Sequence, residues 1–221
     1  MPRVDIPVVS PTEPQLRLME AAERTVERAG LRGATSAAIT REAGHRNHSA
    51  IAYHFGTYEG LLDTVYYWRS KPINAHRAAL VATAEATGRV RDAETLVRAY
   101  VEPFAEHLRS HEPSYWARYT DAVLAARPLQ FVQWIEADVK RYDDMEVPLE
   151  TTIDLLYRMA ALITGGLSAH ALVRVSGYSR YVVTVLGAWE RDQELDLLEK
   201  ISLDDVVREM VAVGVAVLQA P

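Results

Sequence analysis

The stretch Ala37–Leu62, AAITREAGHRNHSAIAYHFGTYEGLL, decides how the rest of the chain is read. Its apolar residues recur at helical rather than alternating spacing. Thr35 stands as N-cap of a short helix with Ala38, Ile39 and Ala43 inward, and Gly44 permits the left-handed residue that ends it. A further helix is predicted from Asn47, a good N-cap, through Ile51 to Phe55. Gly56-Thr57 breaks it, and Thr57 caps a fourth helix from Tyr58 with Leu61, Leu62 and Val65 on one side. Ile39, Ile51 and Phe55 supply the small core that fixes the angle between two short helices.

Upstream, Thr12 and Gln15 form a capping box around Pro14. Leu18, Ala22, Val26 and Ala29 repeat at helical spacing until Gly30. Helices of roughly 16, 9 and 8 residues, the last two joined by a tight turn, describe a helix-turn-helix unit. Downstream, Pro72 is expected to kink or end the fourth helix. Longer helices are predicted at 92–110 (bent at Pro103), 114–126, 128–142, 149–175, 178–189 and 202–219. No alternating strand pattern and no hairpin dipeptide appears, so the class is all-α. Residues 1–14, proline-rich and without the apolar run of a signal peptide, read as a loose arm of a cytoplasmic protein. The domains are then 15–58 and a helical bundle over 59–221.

The chain has 221 residues, 49% of them apolar and 24% charged, with net charge −6 and no cysteine. Disulfide scaffolds, Cys-ligated zinc and thiol nucleophiles are therefore excluded. Residues 1–70 carry eight Arg and eight acidic residues, so the net negative charge belongs wholly to the remainder. The segment 155–173 holds only Arg158 as a charge. Its Gly, Ser and His content, and the cost of about 2.5–3.5 kcal/mol for an arginine in hydrocarbon, favour a buried helix over a membrane span.

The 37–62 stretch resembles the N-terminal signature of the TetR/AcrR transcriptional regulators at Ile39, Ala43, Gly44, Ile51, His54, Phe55, Thr57, Glu59 and Leu61. Leu18-Met19-Glu20-Ala21-Ala22 is similar to that family's first helix. The resemblance covers about a quarter of the chain. It implies a three-helix DNA-binding domain followed by a bundle for ligand binding and dimerisation. Three differences stand out: the turn His45-Arg46-Asn47 is one residue longer, Ala52 replaces a tyrosine, and Tyr58 replaces a lysine. Losing that lysine lowers the expected salt dependence of DNA binding by about one unit.

On this reading the DNA-contacting residues are Thr35, Ser36, Arg41, Arg46, Asn47, His48, Ser49, Tyr53, His54, Thr57 and Tyr58. Short polar side chains at the start of the third helix reach base edges in the major groove. Amides at the starts of the second and fourth helices suit phosphate. Of His45, His48 and His54, the first two straddle a predicted cap rather than sharing one helix face, and no acidic residue but Glu42 is suitably spaced, so no metal is expected. No catalytic motif and no cofactor-binding pattern is present, so neither an enzyme nor a cofactor is expected.

Nine of the eighteen aromatic residues lie between Tyr100 and Tyr157. Aromatic walls between bundle helices suit a mostly apolar or aromatic small-molecule effector. Its candidate contacts are Tyr100, Phe104, His107, Trp116, Tyr119, Trp134, Tyr157 and Arg158, with Arg118 and Gln133 as further polar groups. A homodimer interface is predicted from Thr164, Gly165, Leu167 and Ser168, with Met210, Val213 and Val217 on the last helix. The chain is thus expected to be a ligand-responsive regulator, most simply a repressor, binding a palindrome in double-stranded DNA. The competing reading is a ligand-binding helical protein with a vestigial DNA-binding head.

Overall fold

The computed structural model describes residues 10–45, 47, 49–111, 113–129, 131–132, 150–195 and 199–221. Among them every regular element is helical: α1 Glu13–Gly33, α2 Ser36–Glu42, α3 Ala50–Phe55, α4 Tyr58–Ala86, α5 Ala93–Arg109, α6 Trp116–Ala125, α7 Glu150–Leu162, α8 Ala169–Glu194 and α9 Leu203–Gln219. The chain divides into two compact units, with the boundary inside α4 between Arg69 and Ser70.

Local chemistry sets most of the helix starts. The hydroxyls of Thr35, Ser168 and Ser202 accept the amides of Ala38, Ala171 and Asp205 at 3.1–3.2 Å, and Asp92 accepts that of Thr95 at 2.8 Å. Each satisfies a donor that the helix itself cannot pair. At the start of α1 the Thr12 amide and hydroxyl both donate to Gln15 Oε1 at 2.9 Å.

In the first unit α1 packs on α2, and α2 on α3. Leu18, Met19, Ala22, Val26, Ile39, Ile51, Phe55, Leu61 and Val65 are buried. Gly30 interrupts α1 with φ 64° and ψ 173°, but the chain re-enters helical geometry as far as Gly33. The sequence reading ended the helix at Gly30; the glycine supplies a kink instead, because only a residue lacking Cβ adopts that backbone without strain.

Four expectations are corrected. Asn47 does not cap α3: its Oδ1 accepts the Ser49 amide at 2.9 Å, an Asx-turn, and Ser49 takes the cap position of a helix of only six residues. Pro72 does not end α4. It is exposed, and the helix continues past it to Ala86, so the donor it removes is lost on a solvent-facing residue. The helix expected over 149–175 stops at Leu162, because Gly165 and Gly166 adopt φ of 92° and 74° and Ser168 then caps α8. That helix in turn runs unbroken to Glu194, joining what reads in sequence as two segments. The helix expected over 128–142 lies largely outside the described residues.

In the second unit α8 is the central element, packed against α6, α7 and α9, while α5 packs on α7 and α9. Buried Glu190 of α8 accepts the amides of Ala117 and Arg118 at 3.2 and 3.0 Å, at the start of α6. Burial holds this carboxyl above its ordinary range, against the opposing pull of Ser114, the α6 amides and the Arg118 guanidinium. At the other end of α6, Arg180 donates to the carbonyls of Leu124, Arg127 and Pro128 at 2.6–2.9 Å. Arg174 does the same for α9, donating to Ala220 O at 2.6 Å and Pro221 O at 2.9 Å. These pairings place cations at helix C-termini and an anion at an N-terminus, as the helix dipole favours.

A buried polar chain links four helices of this unit. Thr152 donates to Asn74 Oδ1 at 2.6 Å, Arg77 donates to Thr152 and to the Tyr100 carbonyl, and the Tyr100 hydroxyl pairs with Ser179. The Arg77 guanidinium also lies 4.6 Å from the Tyr100 ring centroid. No helix among the described residues is long and apolar enough to cross a membrane.

Two substitutions test this packing. Removing the buried carboxylate by Glu190→Ala leaves two α6 amides and the Arg118 charge poorly compensated, and a loss of about 3–5 kcal/mol is expected in urea unfolding. A Cβ at Gly214 would stand 2.5 Å from Tyr178 Oη and 2.7 Å from Val97 Cγ1. Gly214→Ala is therefore expected to lower stability by about 1–3 kcal/mol despite the better helix propensity of alanine. A raised melting temperature would contradict the close approach of α9 to α5 and α8.

Candidate functional site

The first unit displays polar groups along the ends of its short helices. Tyr53 is the most exposed large hydrophobic side chain among the described residues, at 82% of its full surface, while Ile51 and Phe55 of the same helix are at 3%. Six residues therefore form a helix anchored on one side and bare on the other. Asn47 and Ser49 are exposed beside its start. Arg46 and His48, also expected to contact DNA, lie outside the described residues.

His54 is partly covered. Its ring meets Tyr53 edge-on with centroids 4.8 Å apart and lies 6.4 Å from His45. Burial first, and the electrostatic influence of neighbouring His45 second, hold its imidazole below the ordinary range. Its carbonyl receives Gln15 Nε2 at 3.4 Å, tying α3 to the start of α1. Thr35, though exposed, already uses its hydroxyl on the Ala38 amide, and Ser36 is half-buried. Thr57 likewise uses its hydroxyl, accepting the Gly60 amide at 2.9 Å.

Tyr58 is turned to internal work. Its hydroxyl donates to the Leu31 carbonyl at 3.2 Å, in the segment beyond the Gly30 kink. Burial, and to a lesser degree Glu59, hold the phenol above its ordinary range. The residue thus fastens the start of α4 to the end of α1 and keeps its proton.

Three carboxylates complete this frame, and sequence reasoning did not identify them. Glu42 receives Arg24 Nε at 3.0 Å and Arg28 Nη2 at 2.7 Å, joining α1 to α2. Those two hydrogen bonds hold its carboxyl below the ordinary range. Buried Glu23 receives both Arg69 Nε at 2.7 Å and Arg69 Nη2 at 3.2 Å, fastening α1 to α4. Glu13 pairs with Arg17 on the surface. The four-residue spacing of Arg24 and Arg28 marks one helix face, but their shared partner on α2 was not legible without the fold.

In the second unit Tyr100, Phe104, His107, Trp116 and Tyr119 are all buried. Trp116 stacks on Tyr119 at 5.4 Å and lies 6.4 Å from Phe104, so these three form one aromatic cluster. His107 stacks on His111 at 4.2 Å. Tyr157 is half-buried. Trp134 and Gln133 lie outside the described residues. Arg158 stands apart from the cluster, paired at the surface with Asp154 at 2.7 Å and Glu85 at 2.8 Å. Arg118 is held by Glu194 at 2.6 Å and by Glu190. A separate groove of about 280 Å³ lies between α4 and α5, lined by Leu80, Ala84, Thr87, Thr95 and Arg98, and it includes none of the expected effector contacts.

Of the expected dimer residues, Thr164, Gly165, Leu167 and Ser168 are exposed, on a turn rather than a helix. Val213 and Val217 are half-buried on α9, whereas Met210 is fully buried within its own chain. Leu203 and Gly214 also face inward, because α9 must cover α5 and α8 of the same unit. Among the described residues no group of His, Cys, Asp or Glu could hold a metal ion.

Tyr58→Phe tests the inward role of that hydroxyl. Loss of about 1 kcal/mol in thermal unfolding is expected, from the one hydrogen bond removed, with the surface chemistry of α3 unchanged. An unchanged melting temperature would mean that the hydroxyl is available to a partner. No protein-family model matches the chain, and no curated protein is significantly similar to it.

Proposed function

We propose that the protein is a homodimeric, effector-responsive transcriptional regulator of the TetR/AcrR type, acting as a repressor. In this reading α2 and α3 form a helix-turn-helix, α3 enters the major groove, and the bundle over α5–α9 binds a small apolar or aromatic molecule and a second copy. The observation that supports it best is α3 itself. A six-residue helix with a buried apolar side and an 82% exposed tyrosine has a surface that its own chain leaves open. Such a helix suits insertion into a groove, where exposed polar and aromatic groups meet base edges.

The dimer is assigned to the outward residues of α8 and α9, with half-buried Val213 and Val217, and to the exposed turn at 164–168. A twofold dimer presents two reading helices, so the operator is a palindrome with half-sites about one helical turn apart. The effector is assigned to the aromatic cluster of Phe104, Trp116 and Tyr119. Its binding lowers operator affinity to the extent that it prefers the DNA-free state, by a coupling energy of about 1–3 kcal/mol.

The test is a gel-shift assay with duplexes from the DNA upstream of the protein's own coding sequence. Retention of a palindromic fragment at two chains per site is expected. Tyr53→Ala is expected to weaken that retention about tenfold or more without altering the oligomeric state. Failure of the unaltered chain to retain any such fragment would favour a ligand-binding protein with a vestigial head. The inward hydroxyl of Tyr58 is the observation on that side.

A further inference from the structure

The first unit sums to no net charge, but its charges are not evenly engaged. Glu13, Glu23 and Glu42 each hold an arginine of the same unit, and Glu42 holds two. Arg41, exposed on α2, has no hydrogen-bond or ion-pair partner among the described residues. It lines a cleft of about 450 Å³ between α1 and α2, opposite Arg28. Ala29, Gly33 and Ala38 complete the walls, so small side chains leave room beside the two guanidinium groups. Glu42 is the one carboxylate in the described lining, and Arg24 and Arg28 occupy its two oxygens at 3.0 and 2.7 Å. The cleft is therefore locally positive within a neutral unit. The start of α4 offers no such charge, since Tyr58 stands there and its hydroxyl is directed to Leu31.

We propose that this cleft seats one backbone phosphate of duplex DNA, with Arg41 making the contact and Glu42 limiting its strength by holding Arg24 and Arg28. The inference rests on the DNA-binding reading above and adds to it the place of an ionic contact. Arginine suits the role because its planar fork matches phosphate oxygens and stays charged at all working pH values. Glu42 then sets how much of the cleft's charge reaches the DNA. With the carboxylate in place, about one net contact is available; without it, the cleft loses the one negative charge in its described lining and its positive potential rises.

The experiment measures affinity of the full-length chain for a retained duplex between about 50 and 200 mM salt, where each phosphate contact contributes a slope near 0.9. Arg41→Ala is expected to reduce the slope by about one and Arg41→Lys to preserve it, with both melting temperatures unchanged because the Arg41 side chain has no hydrogen-bond or ion-pair partner among the described residues. Glu42→Gln is expected to steepen the slope. An unchanged slope in Arg41→Ala, with the unaltered chain still bound, overturns this inference and leaves the DNA-binding reading standing. If the unaltered chain retains no duplex at any salt, the DNA-binding reading falls and the phosphate seat falls with it.

Discussion

The charges that α8 places at the two ends of α6 organise the larger unit. Glu190 meets the amides that open α6, and Arg180 meets the carbonyls that close it. These ten residues of sequence spacing advance a helix by about 15 Å, close to the length of α6 itself. A ten-residue helix is marginal alone, so its ends need partners that its own sequence does not supply. Burying Glu190 costs several kcal/mol, which the backbone amides and Arg118 offset only while the two helices stay in register. The same helix closes α9 through Arg174, so three helix termini depend on one element.

The smaller unit uses a related device at lower cost. Its helices are too short for extensive apolar contact, and buried Leu18, Ile39, Ile51 and Phe55 form a small core. Glu42, Glu23 and the Tyr58 hydroxyl then fix α1 against α2 and α4. Fixing the frame from α1 leaves the outer side of α3 unused. It also removes carboxylates from the unit's free surface, which is how a neutral sum of charge yields a positive cleft.

Local signals were legible where the responsible residue acts on its own neighbours. Thr35 and Thr57 cap helices at the positions their identities predict, because a cap needs only a backbone amide two or three residues away. Asn47 failed as a cap because the competing Asx-turn is equally local and uses the same oxygen. Pro72 and the glycine pair at 165–166 were harder. A proline on an exposed helix side is tolerated, whereas two glycines with positive φ stop a helix whose apolar pattern continues through them.

The sequence by itself determined that the chain is helical, where most helices begin, and which residues of the first unit form its core. Periodicity and caps act within a few residues, so they survive without knowledge of the fold. Only the tertiary structure decided that Met210 and Gly214 face inward, that Arg158 sits in a surface ion pair, and that Tyr58 bonds to Leu31. It alone brought Glu42 to Arg24 and Arg28. A helix of apolar residues has several sides of similar hydrophobicity, and a long charged side chain can reach many partners. Which side is covered, and which partner is met, depends on where the other helices lie.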